Sequence, residues 1–176
     1  MYSVVEKVKE TLDGYGIRYT VDDDDNEINV SYSLKNGSDV TFHLFFKNDD
    51  SGFELRCFNI VVLHDKSNRE ALYEAVNALN SEYRYIKFVI DEKDRVDAEF
   101  DMSDMADIGC TGEVVCEMLF RTCNILEDEI PYLMKAAWTG QWERIDEEET
   151  DGEEDDEEDD DGMISIDDLL NGDEEE

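Results

Sequence analysis

The last thirty-one residues, Asp146 to Glu176, contain twenty Asp or Glu and no Lys or Arg. Like charges at that density repel one another, and too little apolar surface accompanies them to offset the entropy of ordering. A fold must therefore come from residues 1–145, with 146–176 expected to form an acidic, largely disordered tail. One apolar island interrupts the acid, Met163-Ile164-Ser165-Ile166-Asp167-Asp168-Leu169-Leu170. Ile164, Ile166, Leu169 and Leu170 are too few to fold alone but enough to dock, so they are the candidate partner-binding residues. Ile164 and Ile166 alternate as an added strand would, and Leu169-Leu170 follow Asp167-Asp168 as the start of a helical turn would.

The whole-chain charge of −35 divides into −20 for the tail and −15 for residues 1–145. Such a surface repels nucleic-acid phosphates and anionic lipid, so neither is an expected partner. Basic proteins, basic peptide segments and divalent cations are its natural counterparts, although much of the charge serves solubility alone. No apolar run is long enough to span a bilayer, and Met1 to Lys7 lacks the apolar core of a secretory signal. A cytoplasmic location is expected. Cys57, Cys110, Cys116 and Cys123 show no C-x-x-C spacing, and Cys116 and Cys123 fall on one helix face, so free buried thiols are expected.

Before the tail, apolar spacing divides the chain into helices and strands. Val5, Val8 and Leu12 share one face of a helix over 2–13, which Gly14 stops. Tyr15 to Val21 alternates as a short strand. Ile28 to Leu34 and Val40 to Phe46 alternate on either side of Asn36-Gly37, which predicts a hairpin because both turn residues tolerate positive φ. Phe53 to Leu63 is a third strand whose alternation lapses at Phe58, the mark of a bulge or of burial on both faces. Ser67-Asn68-Arg69-Glu70 reads as a capping box opening a helix with Ala71, Leu72, Ala75, Val76 and Leu79 inward and Asn80 at its end. Ile86 to Ile90 and Val96 to Phe100 are two further strands around an Asp91–Asp94 turn. A last long helix starts at Thr111, buries Val115, Leu119, Cys123 and Leu126, and should kink or restart at Pro131. The order αβββαββα, with an extra short strand near Tyr19 and short turns between strands, predicts an α+β fold with an antiparallel sheet flanked by helices.

Catalytic chemistry has little support. His64 precedes Asp65, but no nucleophile elbow accompanies the pair, and no glycine-rich phosphate loop exists. Asp22 to Glu27 is acidic but lacks the glycine of a calcium loop and reads as a solvated turn. Residues 157–168 come closer. Glu157, Asp159, Asp161, Gly162, Ile164, Ser165 and Asp168 stand at positions 1, 3, 5, 6, 8, 9 and 12 of an EF-hand loop. Glu at the first position and Asp at the twelfth depart from the pattern, and no entering helix precedes it.

From Leu72 to Phe120 the residues resemble those of the YbjN family of bacterial proteins. Ala78-Leu79-Asn80 ends a helix and Tyr85-Ile86-Lys87-Phe88 follows as a strand. Asp91-Glu92-Lys93-Asp94 turns the chain, Arg95-Val96-Asp97-Ala98-Glu99-Phe100 returns it, and a helix carries Val115, Leu119 and Phe120. In element order the resemblance extends over about residues 1–138. It implies the fold of type III secretion chaperones, a regulatory or chaperone-like protein-binding role in the bacterial cytoplasm, and, since such chaperones are typically dimeric, a homodimer. It carries over no catalytic, cofactor-binding or metal-binding residue, so the chain is expected to be non-enzymatic and to need no cofactor. Phe45, Phe58 and Trp142 are the apolar candidates for a binding groove. Two alternatives stand beside this reading. One is a calcium-responsive regulator acting through 157–168. The other is a carboxylate-based metal-dependent hydrolase, which would need several Asp or Glu converging with His43 or His64.

Overall fold

The computed structural model describes residues 4–22, 26–47, 51–103 and 111–143. Helix α1 spans Val4–Gly14, and Val4, Val5, Val8 and Leu12 are its buried stripe. Strands β1 (Thr20–Val21), β2 (Glu27–Ser33), β3 (Asp39–Phe46) and β4 (Gly52–Val62) follow, then α2 (Arg69–Glu82), β5 (Lys87–Ile90), β6 (Arg95–Ser103) and α3 (Thr111–Thr139). Of the alternating stretch from Tyr15 to Val21, only Thr20 and Val21 pair as a strand.

The strands form one six-stranded antiparallel sheet in the order β1-β2-β3-β4-β6-β5. α2 carries the chain from β4 past the position of β6, so β5 takes the edge and β6 returns between them. Ile28, Val30, Val40, Phe42, Leu44, Phe46, Phe53, Leu55, Cys57, Val96, Ala98 and Phe100 lie on one face and are buried. α3 packs on β4 from that side, with α1 and α2 against α3. Among the described residues no helix covers the opposite face.

The β2–β3 turn is longer than a two-residue turn. Leu34 N–H bonds to the Ser38 carbonyl at 2.8 Å and Gly37 N–H to the Leu34 carbonyl at 2.9 Å, leaving Lys35, Asn36 and Gly37 as the loop. Only Gly37 has positive φ, at 84°, which is the three-residue hairpin ending in a left-handed glycine. Asn36 is thereby free for another task. Pro131 has no N–H, so the Glu127 carbonyl four residues earlier loses its helical partner. The Asn36 amide donates to that carbonyl at 2.8 Å and to the Leu126 carbonyl at 3.2 Å, while its oxygen accepts from Ser38 N–H at 2.9 Å. α3 accordingly runs unbroken through Pro131 instead of restarting there. Asn36→Ala should cost about 1 kcal/mol. Asn36→Asp should cost more, because it points a carboxylate at two carbonyls. Urea denaturation of the two variants checks the ranking.

The predicted capping box is replaced by a different cap. A 3-10 turn, Lys66–Asn68, precedes α2, and the Asp65 carboxylate accepts from Ser67 N–H at 2.9 Å. Asn68 caps nothing with its side chain. Its amide donates instead to the Ala137 carbonyl at 3.1 Å, tying the start of α2 to the last turn of α3. Asn80 lies inside the last turn of α2 and does not end it. Its amide oxygen accepts from Phe88 N–H and its NH₂ donates to the Phe88 carbonyl, each at 2.8 Å, which fixes where β5 begins.

At the β5–β6 turn, Asp91 accepts from Lys93 N–H at 2.8 Å, Arg95 N–H at 3.0 Å and Arg95 Nε at 2.6 Å. The Arg95 side-chain bond leads in holding the Asp91 carboxyl down to about 2. A carboxyl depressed on folding stabilises the fold above its unfolded value of roughly 4 and loses that contribution as pH falls through the folded value. Asp91→Asn should therefore be less stable than the parent at pH 7, with the gap closing between roughly pH 4 and about 2. Denaturant titrations across that window test the closure.

Candidate functional site

β2 is seven residues long, but β1 covers only Ile28 and Asn29 of it. Asp22 N–H bonds to the Glu27 carbonyl at 3.1 Å, so the odd residues of β2 turn their backbone groups toward β1. The even residues turn toward β3, as the Leu34 N–H bond to Ser38 shows. The N–H and C=O of Ser31 and Ser33 thus face outward beyond the end of β1, and among the described residues no strand pairs with them. Beside this edge the chain from Gly16 to Arg18 parts from β2 and leaves a cleft of about 240 Å³. Val30, Tyr32, Leu119, Phe120 and Cys123 line it, with Arg18 at its wall. Tyr32 is 48% exposed. Free backbone donors and acceptors next to an apolar cleft are what an extended peptide needs. Main-chain bonds supply affinity and the cleft accepts a side chain.

A second feature lies on the open face of the sheet. The register sets Glu27, Phe45, Glu54 and Asp101 in one row across four strands, and Asn29, His43, Arg56 and Glu99 in the next. His43 Nδ1 and Glu27 Oε1 are 2.8 Å apart. The His43 ring stacks on Phe45 at 6.1 Å and tilts against Phe58 at 5.1 Å. Phe58 follows the inward Cys57 onto this face by ordinary alternation, and a bulge, one of the two readings of the lapse in apolar pattern, begins just after it. The β4–β6 register slips between Cys57 and Val61, Asn59 adopts φ 57°, and Asp97 accepts its N–H at 2.7 Å. Arg56 bonds Glu54 at 3.0 Å, pairs closely with Glu99 and approaches Asp101 at 3.8 Å. Desolvation, the largest single influence, lowers its pKa, but hydrogen bonds to Glu54 and Glu99 and their charges together raise it. Trp142 does not join Phe45 and Phe58; it packs against the core instead.

Ile164, Ile166, Leu169 and Leu170 lie outside the described residues, as do the calcium-like positions 157–168, the tail as a whole and Cys110. The acidic turn at Asp22 closes on itself, with Asp22 Oδ1 accepting from Asn26 N–H at 3.1 Å and Glu27 N–H at 3.2 Å. His43 meets one carboxylate and His64 is exposed. Among the described residues no group of three or more His, Cys, Asp or Glu is placed to hold a metal ion, and no helix is long and apolar enough to cross a membrane. Cys57, Cys116 and Cys123 are free and buried. Desolvation pushes the Cys57 and Cys123 thiols up to about 12 and that of Cys116 to about 11, which makes them unreactive.

The β2 edge and the two-row arrangement were missed from sequence alone. No sequence signal marked the edge, because the alternating runs Tyr15 to Val21 and Ile28 to Leu34 are equally long and only the structure limits the first to Thr20 and Val21.

Among solved structures, YbjN from E. coli superposes with a TM-score of 0.53 at 11% identity, covering 75% of this chain and 89% of that one. This supports the α+β architecture. The Yersinia pestis type III secretion chaperone SycH, solved in complex with a YscM2 fragment, gives a TM-score of 0.42 at 12% identity, over 70% of this chain and 99% of that one. That likeness is too loose to bear on function. No curated protein matches significantly. Residues 5–119 match the family YbjN, described as "Putative bacterial sensory transduction regulator". With about two thirds of its length inside that match, this chain belongs to the YbjN family.

Proposed function

We propose that this chain is a non-enzymatic regulator of the bacterial cytoplasm that works by holding an extended segment of another protein. The observation that carries the proposal is the β2 edge, where Ser31 and Ser33 present unpaired backbone groups beside the cleft of Tyr32, Phe120 and Cys123. Edge strands left open invite pairing. An apolar cleft beside the edge gives that pairing a side-chain preference. Family membership supports a regulatory role. Ile164, Ile166, Leu169 and Leu170 form a second contact with a partner protein, and the charge around them favours a basic one. Eight ordered residues offset much of what their apolar burial contributes, so this second contact is weak and reversible.

Ser31→Pro separates binding from folding. It removes an N–H that points away from β3, where proline is tolerated in a strand, and leaves the β2–β3 bonds in place. Full-length parent, Ser31→Pro, and a variant with all four tail residues replaced by Ser would be used to capture and identify a partner. Each would then be titrated with the purified partner. Ser31→Pro should weaken binding at least tenfold with little change in thermal unfolding. Equal affinity for parent and Ser31→Pro sinks the edge reading, and equal affinity for the tail variant sinks the tail contact.

A further inference from the structure

We propose that the open face of the sheet is a second docking surface, for a basic segment of a partner protein. In this proposal Phe45 receives a Lys or Arg side chain and Phe58 receives an apolar neighbour. The proposal is independent of the β2 edge, because it uses side chains on the uncovered face instead of backbone groups at the rim.

Three observations converge. First, the register holds the Phe45 ring between Glu27 on β2 and Glu54 on β4, with Asp101 next in the row. An aromatic face flanked by carboxylates attracts a cation through both the ring quadrupole and the charge. Second, the carboxylates of this face already hold one guanidinium. Arg56 is drawn in among Glu54, Glu99 and Asp101, its side chain only 18% exposed. One positive charge against three carboxylates leaves the neighbourhood negative, so a further cation is favoured. Third, strand alternation sets Phe58 on this face at 43% exposure, its ring 5.1 Å from that of His43, which also stacks on Phe45. An antiparallel sheet with a solvated face ordinarily shows polar side chains there. Two aromatic rings bracketing an imidazole, rimmed by acid, have the make-up of an interface centre more than of a solvated surface. An acidic peptide or a nucleic acid would meet like charge.

His43 is a local reporter, since it lies between the two rings and the chain has only one other histidine, His64. Full-length protein would be titrated with a synthetic Lys/Leu amphipathic peptide while the two imidazole proton signals are followed by NMR. A Lys/Ser peptide and a Glu/Leu peptide serve as controls. The Lys/Leu peptide should shift the His43 signals and leave those of His64 in place. Its affinity should fall at least tenfold in Phe58→Ser and in Glu27→Gln/Glu54→Gln, and should weaken with added salt. Ser31→Pro should bind it unchanged, which separates this site from the edge. The proposal is overturned if His43 stays still while the peptide binds, as it would if only the acidic tail were engaged. It is equally overturned if Phe58→Ser binds as tightly as the parent, if the Glu/Leu peptide binds as well, or if His43 shifts with protein concentration alone, which would mean a second copy occupies the face.

Discussion

Gly112→Ala should lower the stability of the fold by about 1–3 kcal/mol, the range of an overpacked contact, although it changes one hydrogen to a methyl and improves helix propensity. Gly112 lies in the first turn of α3 where that helix meets α1. A methyl group built there falls 2.8 Å from the Lys7 carbonyl oxygen and collides with the Thr11 side chain. Thr11 has no ready escape, because its hydroxyl donates back to the Lys7 carbonyl at 2.9 Å. The backbone oxygen cannot rotate away either, so α1 and α3 must separate. Propensity alone predicts a gain of up to about 1 kcal/mol for replacing a helical glycine by alanine, so the two effects have opposite signs and the steric one should win. For a domain of this size each kcal/mol moves the midpoint by roughly 2–4 °C, and a melting curve decides the sign. A rise in the midpoint would mean that the helices slide apart without penalty.

That contact also shows where sequence reading reached its limit. The order αβββαββα with its extra short strand β1, the irregularity after Cys57 and the buried stripes of α1, α2 and α3 follow from spacing, since alternation and helical periodicity report which side of each element meets the core. The chain crossing that sends β5 to the edge does not, because spacing within a strand carries no information about its neighbour. The role of Asn36 was hidden for a related reason. Its preference for turns was visible, but its bond to the Glu127 carbonyl joins two segments about ninety residues apart. From sequence Pro131 predicts a kink or restart, because the donor that serves the Glu127 carbonyl lies on the hairpin. Asp65 was passed over as cap because Ser67 and Glu70 fit a familiar spacing. At the candidate sites, the aromatics Phe45 and Phe58 were identified by type, while their acidic setting exists only through cross-strand register. The partial cover of β2 by β1 needed the endpoints of both strands, which are the least certain part of any reading from sequence.

The two sides of the sheet should answer very differently to loss of a phenylalanine. Phe42 is fully buried on β3, at the centre of the sheet, paired in register with Val30 on β2 and Cys57 on β4. Phe42→Ala removes an aromatic side chain whose space the neighbouring strands, tied by their ladders, cannot close. The expected cost is about 3–5 kcal/mol, a large part of the roughly 5–15 kcal/mol that holds a typical domain together. Phe58→Ala deletes the same atoms from a half-exposed position, where water already touches the ring. Its contacts are with His43 on an uncovered face, and the cost there should stay below about 1 kcal/mol, as for surface substitutions generally. The bulge geometry rests on Asn59 and Asp97, so it should survive the change. Parallel urea titrations give both numbers, with unchanged slope indicating that the unfolded state is not involved. Comparable losses at the two sites would mean that Phe58 is packed in solution, and that the face is already covered. A large loss at Phe42 with almost none at Phe58 would leave the exposed ring without a structural reason to be there, and so available for binding.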